Sequence, residues 1–364
     1  MYVVIAAGLS ALVLALTMDS FLVPVFFLLS IGMAIIYNLG TNFVAGEISF
    51  ITQALAAVLQ LAVTMDYSIF LWHSYQENQE RFPGDKNRAM AHAISNTISS
   101  VVGSSITTVA GFVAMCFMTF TLGMDLGIVM AKGVVLGVIG CVTILPAMIL
   151  VFDKAIEKTK HRAIIPDLGK IGNFVTKKYI VFIVLFLIIL GPALYGYTHN
   201  EVYYDLAGTL PEELDSVQAN NKLEEDFDMG ATHIILADSN LSSKDASAMI
   251  KEIQDLDGVA LALGEDALIG PAIPKEMIPD DLLETLDNGD QQMIYVMSEY
   301  KTASDEVNAQ CDAIKEIIKR YDESAMLIGE APCTQDLITI TDKDFKTVST
   351  VSVSYTHLTL PTIA

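Results

Sequence analysis

Basic side chains are scarce in this 364-residue chain, where 21 Lys+Arg stand against 43 Asp+Glu for a formal net charge of −22. No basic stripe exists to neutralise phosphates, which argues against a nucleic-acid partner. Cysteine is sparse too. The four cysteines show no metal-ligand spacing, and Cys116 and Cys141 lie in apolar stretches as small packing residues. Cys311 and Cys333 read as free thiols, with a disulfide between them left open. There is no HExxH, no GxSxG and no P-loop, and the six histidines are scattered. The chain is therefore not read as an enzyme, and it implies no cofactor or metal.

What it has in plenty is apolar residues, 52% of the total, and these are unevenly placed. Residues 1–198 hold 11 Lys+Arg and 10 Asp+Glu, which leaves 10 and 33 for residues 199–364. A nearly neutral half beside a strongly acidic one implies two environments, a bilayer and water. A hydrocarbon core of ~30 Å takes about 20 apolar residues of helix. Segments 2–17, 21–43, 48–72, 94–120, 126–152 and 179–197 meet or approach that length, so the sequence predicts six spans.

Basic residues orient them. Segment 73–93 carries Arg81, Lys86 and Arg88, and segment 153–178 carries seven Lys or Arg from Lys154 to Lys178. Connections 44–47 and 121–125 carry none. Basic loops stay on the cytoplasmic side, which puts 73–93 and 153–178 inside and everything after 198 outside. From residue 200 the pattern changes. Strand-like 231–237, a helix from about 243 and strand-like 259–263 are followed by 292–297, a helix over 304–321 and 325–328. Two β-α-β units in tandem predict an α+β ferredoxin-like sheet with helices on one face. Gly and Pro over 264–279 mark the joint between them.

Within the third span the chain reads Gln60-Leu61-Ala62-Val63-Thr64-Met65-Asp66-Tyr67. A carboxylate at membrane depth costs about 2.5–3.5 kcal/mol on insertion scales and has no cheap structural purpose. Asp66 is therefore read as a proton-handling group. Gln53, Gln60 and Tyr67 recur every seven residues with Thr64 beside them, and Asp66 sits ~100° round from Tyr67, at the stripe's edge. The fourth span is rich in hydroxyls, among them Ser104, Thr107 and Thr108, with Gly103 and Gly111 allowing close helix approach. Packing explains most of these. Lys132 is the one basic candidate for an ion pair with Asp66 inside a span, but it lies nearer the outer end and is expected to snorkel outward.

Asp66-Tyr67-Ser68-Ile69-Phe70-Leu71, Thr107-Thr108-Val109-Ala110-Gly111-Phe112, Leu145-Pro146-Ala147 and Leu210-Pro211-Glu212-Glu213 occur in the order found in the RND superfamily. Together they resemble its MMPL-type exporters and their sterol-sensing-domain relatives, over about residues 1–347. The resemblance implies a twelve-span protein in two pseudo-repeats, with porter domains that pass substrate outward and paired Asp-Tyr sites that carry protons. It would make Asp66 the proton carrier and Tyr67 its partner, with Gln60, Thr64, Ser104 and Thr108 as possible supporting polar groups.

The expected organisation is a five-helix sterol-sensing/MMPL-like bundle at 1–152, a basic cytoplasmic linker at 153–178 and a sixth transmembrane helix at 179–198. An extracytoplasmic acidic porter domain follows at 199–347, and 348–364 is set apart as a tail. Its last residues, 354–364, are polar and Pro-broken and look like a sequencing-adapter scar. The family's first helix and first porter domain have no counterpart here, so the chain is expected to be a fragment lacking the second half of the same protein. The expected function is proton-motive-force-driven export of lipid-like or amphiphilic cargo across the cell membrane, with protons and membrane lipid as the other partners. The alternative is a sterol-sensing-type module that binds lipid or regulates without transport.

Overall fold

A computed structural model describes residues 2–44, 46–161, 169–199, 209–265 and 285–363. The chain divides into two compact units, one of residues 1–196 with 342–364 and one of residues 197–341.

The first unit is helical. It contains α1 (Tyr2–Thr17), α2 (Leu22–Gly40) with a 3-10 turn at Thr41–Val44, α3 (Phe50–Arg81), α4 (Lys86–Met115) and α5 (Thr121–Val151). The short α6 (Asp153–Lys158), α7 (Gly169–Lys177) and the apolar α8 (Tyr179–Thr198) follow. Among the described residues, five helices are long and apolar enough to cross a membrane: Leu22–Val44, Phe50–Arg81, Lys86–Met115, Thr121–Val151 and Tyr179–Thr198. The sixth expected span, α1, has 16 residues. At 1.5 Å per residue it is about 24 Å long, short of a ~30 Å core.

The helices α3 and α4 also run further into segment 73–93 than apolar counting suggested. Hydropathy marks only the part in hydrocarbon, whereas the helical ladder continues until a cap stops it. That stop lies between Arg81 and Lys86. There Gly84 takes φ +85°, and the Asp85 carboxylate accepts the Arg88 N–H at 3.0 Å to start α4. At the other end of α3, the Ser49 hydroxyl accepts the Ile51 N–H at 3.2 Å.

α5 is the spine of the bundle, packing against α2, α3 and α4. Its glycines make this possible. A Cβ on Gly127 would lie 2.6 Å from the Phe112 carbonyl of α4, and one on Gly133 would lie 2.6 Å from Asn38 Nδ2 of α2. An apolar cluster built on Phe27, Leu71, Trp72, Tyr75, Met90 and Leu145 fills another part of the unit. α8 buries none of its residues in this chain.

The second unit holds α9 (Asp215–Phe227), β1 (Thr232–Asp238), α10 (Ser243–Gln254), β2 (Val259–Leu263), β3 (Gln291–Ser298), α11 (Asp305–Tyr321) and β4 (Met326–Gly329). The strands form one sheet in the order β2-β3-β1-β4, and every neighbouring pair is antiparallel. α10 and α11 contact each other and cover one face. There Ile235, Met249, Ile253, Ile294, Val296, Ile314 and Ile318 form an apolar core. Period-two alternation drives this, because successive β1 residues from Thr232 to Asp238 alternate between buried and more exposed. The opposite face leaves Ile234, Leu236, Met293 and Tyr295 half-buried and Met326 and Ile328 exposed. Most of the proposed joint at 264–279 lies outside the described residues.

Segment 348–364, expected as a separate tail, is continuous with α12 (Glu330–Ile363) as far as Ile363. A helix once started adds a backbone bond with each residue, so moderate propensity suffices to extend it. Within the first unit, Asp344 of α12 accepts the backbone N–H groups of Thr119 and Phe120 at 2.9 and 2.8 Å, just before α5 begins.

Candidate functional site

α3 presents opposite chemistry on its two sides. Thr52, Gln60, Thr64, Ser68 and Tyr67 are buried, whereas Asp66 is exposed. The ~100° step between Asp66 and Tyr67 separates them in this way, so the two do not share an environment within this chain. Tyr67 is 7% exposed and packs in the apolar cluster with Phe27, Leu71 and Trp72. Asp66 forms no hydrogen bond or ion pair among the described residues. On α4, Ser104 is exposed and its carbonyl accepts the Thr107 and Thr108 hydroxyls at 2.7 and 3.0 Å, so those two hydroxyls are satisfied within their own helix.

The buried side of α3 meets α2 and α5 in a polar seam. Asn38 Nδ2 donates to Gln60 Oε1 at 3.0 Å and to the Val129 carbonyl at 3.1 Å. Gln60 Nε2 donates in turn to the Gly133 carbonyl at 3.1 Å. One turn further, the Thr64 hydroxyl lies against Gly137, where any Cβ would collide with it. Glycines on α5 thus let amide side chains reach a helix backbone that a larger residue would screen. Gln53, on the same seven-residue repeat, is exposed instead and takes no part.

Near the end of the seam at the α2–α3 connection, Lys132 Nζ donates to Asn42 Oδ1. Lys132 therefore pairs with a neutral amide, consistent with its expected outward reach and not with an ion pair to Asp66. Close by, Asp125 Oδ2 accepts the Ser49 N–H at 3.0 Å and the Thr52 hydroxyl at 2.6 Å, which ties the start of α5 to the start of α3. Another acid, Asp19, accepts from Trp72 Nε1 at 3.3 Å and Gln76 Nε2 at 2.7 Å.

The sequence reading missed Asn38, Asn42 and the α5 glycines. Their signal was present in the four-residue spacing of Asn38 and Asn42 and of Gly133 and Gly137, a helix-face repeat like that of Gln60 and Thr64. All four cysteines are free thiols. Among the described residues, no group of three or more His, Cys, Asp or Glu could hold a metal ion.

The chain resembles known membrane proteins. Residues 1–177 match the model of the MMPL family. Membrane protein YdfJ of Bacillus subtilis is 26% identical over 285 residues, covering 74% of this chain and 38% of that protein. The putative membrane protein ActII-3 of Streptomyces coelicolor is 31% identical over 127 residues, covering 35% of this chain and 17% of the relative. The chain thus spans well under half the length of these relatives. Among solved structures, SecDF from Thermus thermophilus, described as a translocon-associated membrane protein, aligns over 98% of this chain and 42% of its own, at 12% identity and a TM-score of 0.49.

Proposed function

We propose, from the match of residues 1–177 to the MMPL family model, that this multi-pass membrane chain is part of an RND-type exporter driven by the proton-motive force. The observation that carries the reading is Asp66, exposed on a membrane-spanning helix and without a side-chain partner among the described residues. A carboxylate facing lipid is costly, so such a residue in a working protein faces other protein or a water-filled path. The remainder of a longer exporter would supply that cover, together with a second proton-handling group.

Protonation would remove that charge from the covered site, and each proton crossing the field releases about 2.3 kcal/mol per 100 mV. Asp66 would be the carrier and Tyr67, beside it on α3, the neighbour whose packing senses the change. Gln60 and Thr64 would support that helix from the α5 side. Ser104 and Thr108 would belong to the adjoining face of α4. In this reading the basic segments 73–93 and 153–178 face the cytoplasm, and 199–347 lies outside the cell membrane.

The sheet unit would be a ferredoxin-like porter domain. Its order β2-β3-β1-β4, with β1 and β2 on either side of β3, supports that assignment, as does the half-open apolar face of Ile234, Leu236 and Tyr295. Such a face suits lipid-like or amphiphilic cargo.

The experiment is Asp66→Asn in the complete protein, with export followed in proteoliposomes under an imposed proton gradient. Export is expected to be abolished, with insertion and thermal unfolding unchanged, because an amide cannot carry the proton. Export at a normal rate would overturn the proposal. A second reading, a sterol-sensing-type lipid-binding module without transport, is favoured by an apolar cavity of about 560 Å³ lined by Val102, Ile106, Val113, Phe117, Val135 and Ile139. Lipid binding that persists unchanged in Asp66→Asn, with no export in the parent protein, would favour it.

A further inference from the structure

α3 stays helical past its apolar run as far as Arg81, so one face keeps its register from mid-span into the segment after Trp72. Asp66 stands on that face. Leu59, Ala62, Phe70, His73 and Glu77 lie within ~40° of it around the helix, and all of them are exposed. From Asp66 onward, titratable groups recur along this face at steps of seven, four and three residues, as His73, Glu77 and Glu80. These steps rise about 10.5, 6 and 4.5 Å toward the end of the span. A helix leaving the bilayer turns polar in any case, which accounts for Glu77 and Glu80. His73 is different, because histidine is the side chain that ordinarily takes up and returns a proton near neutral pH. The polar side chains around it are engaged elsewhere. Trp72 Nε1 and Gln76 Nε2 donate to Asp19 at 3.3 and 2.7 Å, and the Ser74 hydroxyl donates to the Ala93 carbonyl at 3.5 Å.

We propose that His73 receives the proton that Asp66 releases and passes it on toward segment 73–93, with Glu77 as the next acceptor. The inference rests on the exporter reading above, in which Asp66 is the proton carrier and that segment is cytoplasmic. Protonated Asp66 gives its proton to the imidazole, leaving a carboxylate and an imidazolium. The imidazolium then loses a proton to Glu77 or to bulk water and is neutral again. The gap of about 10.5 Å is too long for a direct hydrogen bond, so the transfer runs through water along the open face that continues from Asp66. Other titratable groups near this end of the bundle are held in different contacts. Lys86 pairs with Asp153 and Glu157, and His92 of α4 stacks on Phe82 at 4.8 Å, with the Arg88 guanidinium 4.5 Å from the same ring. α1 and α2 contain no Asp, Glu, His, Lys or Arg, and Asp125 and Lys132 of α5 are bonded at its other end.

The rate at which Asp66 changes protonation tests it. The complete protein is reconstituted into lipid vesicles, and a pH step on the side of segment 73–93 is followed by infrared difference spectroscopy. The carboxyl band missing from Asp66→Asn identifies Asp66. His73→Gln should slow that band by about 100-fold, the lower end of what a positioned proton-transfer group contributes, with the thermal midpoint unchanged. Imidazole added to His73→Ala should restore the rate in proportion to its concentration. His92→Gln, a histidine on α4 away from this face, should leave the rate as it is. An unchanged rate in His73→Gln, or equal slowing in His92→Gln, overturns the inference and leaves the role of Asp66 standing. Slowing that imidazole does not relieve marks a structural role for His73 and overturns it as well. A carboxyl signal identical in Asp66→Asn and the parent overturns the exporter reading itself, and this inference with it.

Discussion

The seam between α2, α3 and α5 buries Asn38, Gln60 and Thr64, while the core of the sheet unit is built from Ile235, Met249, Ile253, Ile294 and Ile314. Their surfaces differ in the opposite sense. α8 of the first unit exposes an apolar run from Ile180 to Leu190, whereas α9 of the second exposes Glu224, Glu225 and Asp226 or leaves them half-covered. The contrast shows which force each region uses. In water, burying apolar area drives folding. In a bilayer the lipid is as apolar as leucine, so helices associate through close packing and hydrogen bonds instead. Small residues and amides on α5 and α2 take the role that branched aliphatic residues take in the sheet.

The largest expected effect tests that difference directly. Ile294→Ala removes a fully buried side chain from the sheet core and should cost about 2–5 kcal/mol, counting both lost transfer energy and the cavity left behind. Ile183→Ala on α8, 53% exposed, should change the stability of the membrane unit by about 0.5 kcal/mol or less. Denaturant unfolding with a probe in each unit reads both. Similar losses at the two positions would mean that α8 is covered by protein rather than lipid.

A smaller effect sharpens the membrane side of the comparison. Gly127→Ala places a methyl group 2.6 Å from the Phe112 carbonyl, a backbone atom that cannot swing aside. The helices α4 and α5 must separate, at a cost of about 1–3 kcal/mol. Gly111→Ala on α4, where a Cβ meets nothing within 4 Å, is the matched control. It should be neutral or slightly stabilising, because alanine is the better helix former. Equal losses would show that helix propensity, and not close approach, sets the stability of this pair.

The sequence made the two kinds of core unequally legible. Strand positions in the sheet unit followed from alternation: 259–263 was read at its observed limits, and the other three strands within a residue or two. Helix α11 was read from Ser304, whose hydroxyl in fact caps it by accepting the Val307 N–H at 3.1 Å. α9 was missed, being strongly polar with few apolar positions to give a period. In the membrane unit, hydropathy found the helices but not their inner faces. When a helix is apolar on most sides, its pattern does not show which side meets protein. Asp66 and Tyr67 were identified as adjacent residues, but that one is exposed and the other buried depends on where α2 and α5 pack. Gln60 was singled out, yet its partner Asn38 lies on a helix where no polar residue had drawn notice.

The smallest expected effect concerns a polar group inside the sheet core. His233 on β1 is 0% exposed, with Nε2 3.4 Å from Gln310 Oε1 of α11 and Nδ1 buried without a partner among the described residues. Burial disfavours the imidazolium and lowers the His233 pKa from its usual 6.5, while the Gln310 bond pulls weakly the other way. The folded unit therefore holds this histidine neutral. As pH falls below about 6.5 the unfolded chain takes up a proton that the folded unit does not, so stability declines toward the lower folded value and is flat above it. Most carboxylates stay ionised down to about pH 5, which leaves a window between about 6.5 and 5 where His233 contributes its own slope. Unfolding midpoints across that window should fall in the parent chain and lose most of the slope in His233→Gln. A parent profile flat down to pH 5 would mean that the ring is protonated in place. The apolar core would then tolerate a charge, and the contrast with the polar membrane seam would be weaker than these side chains imply.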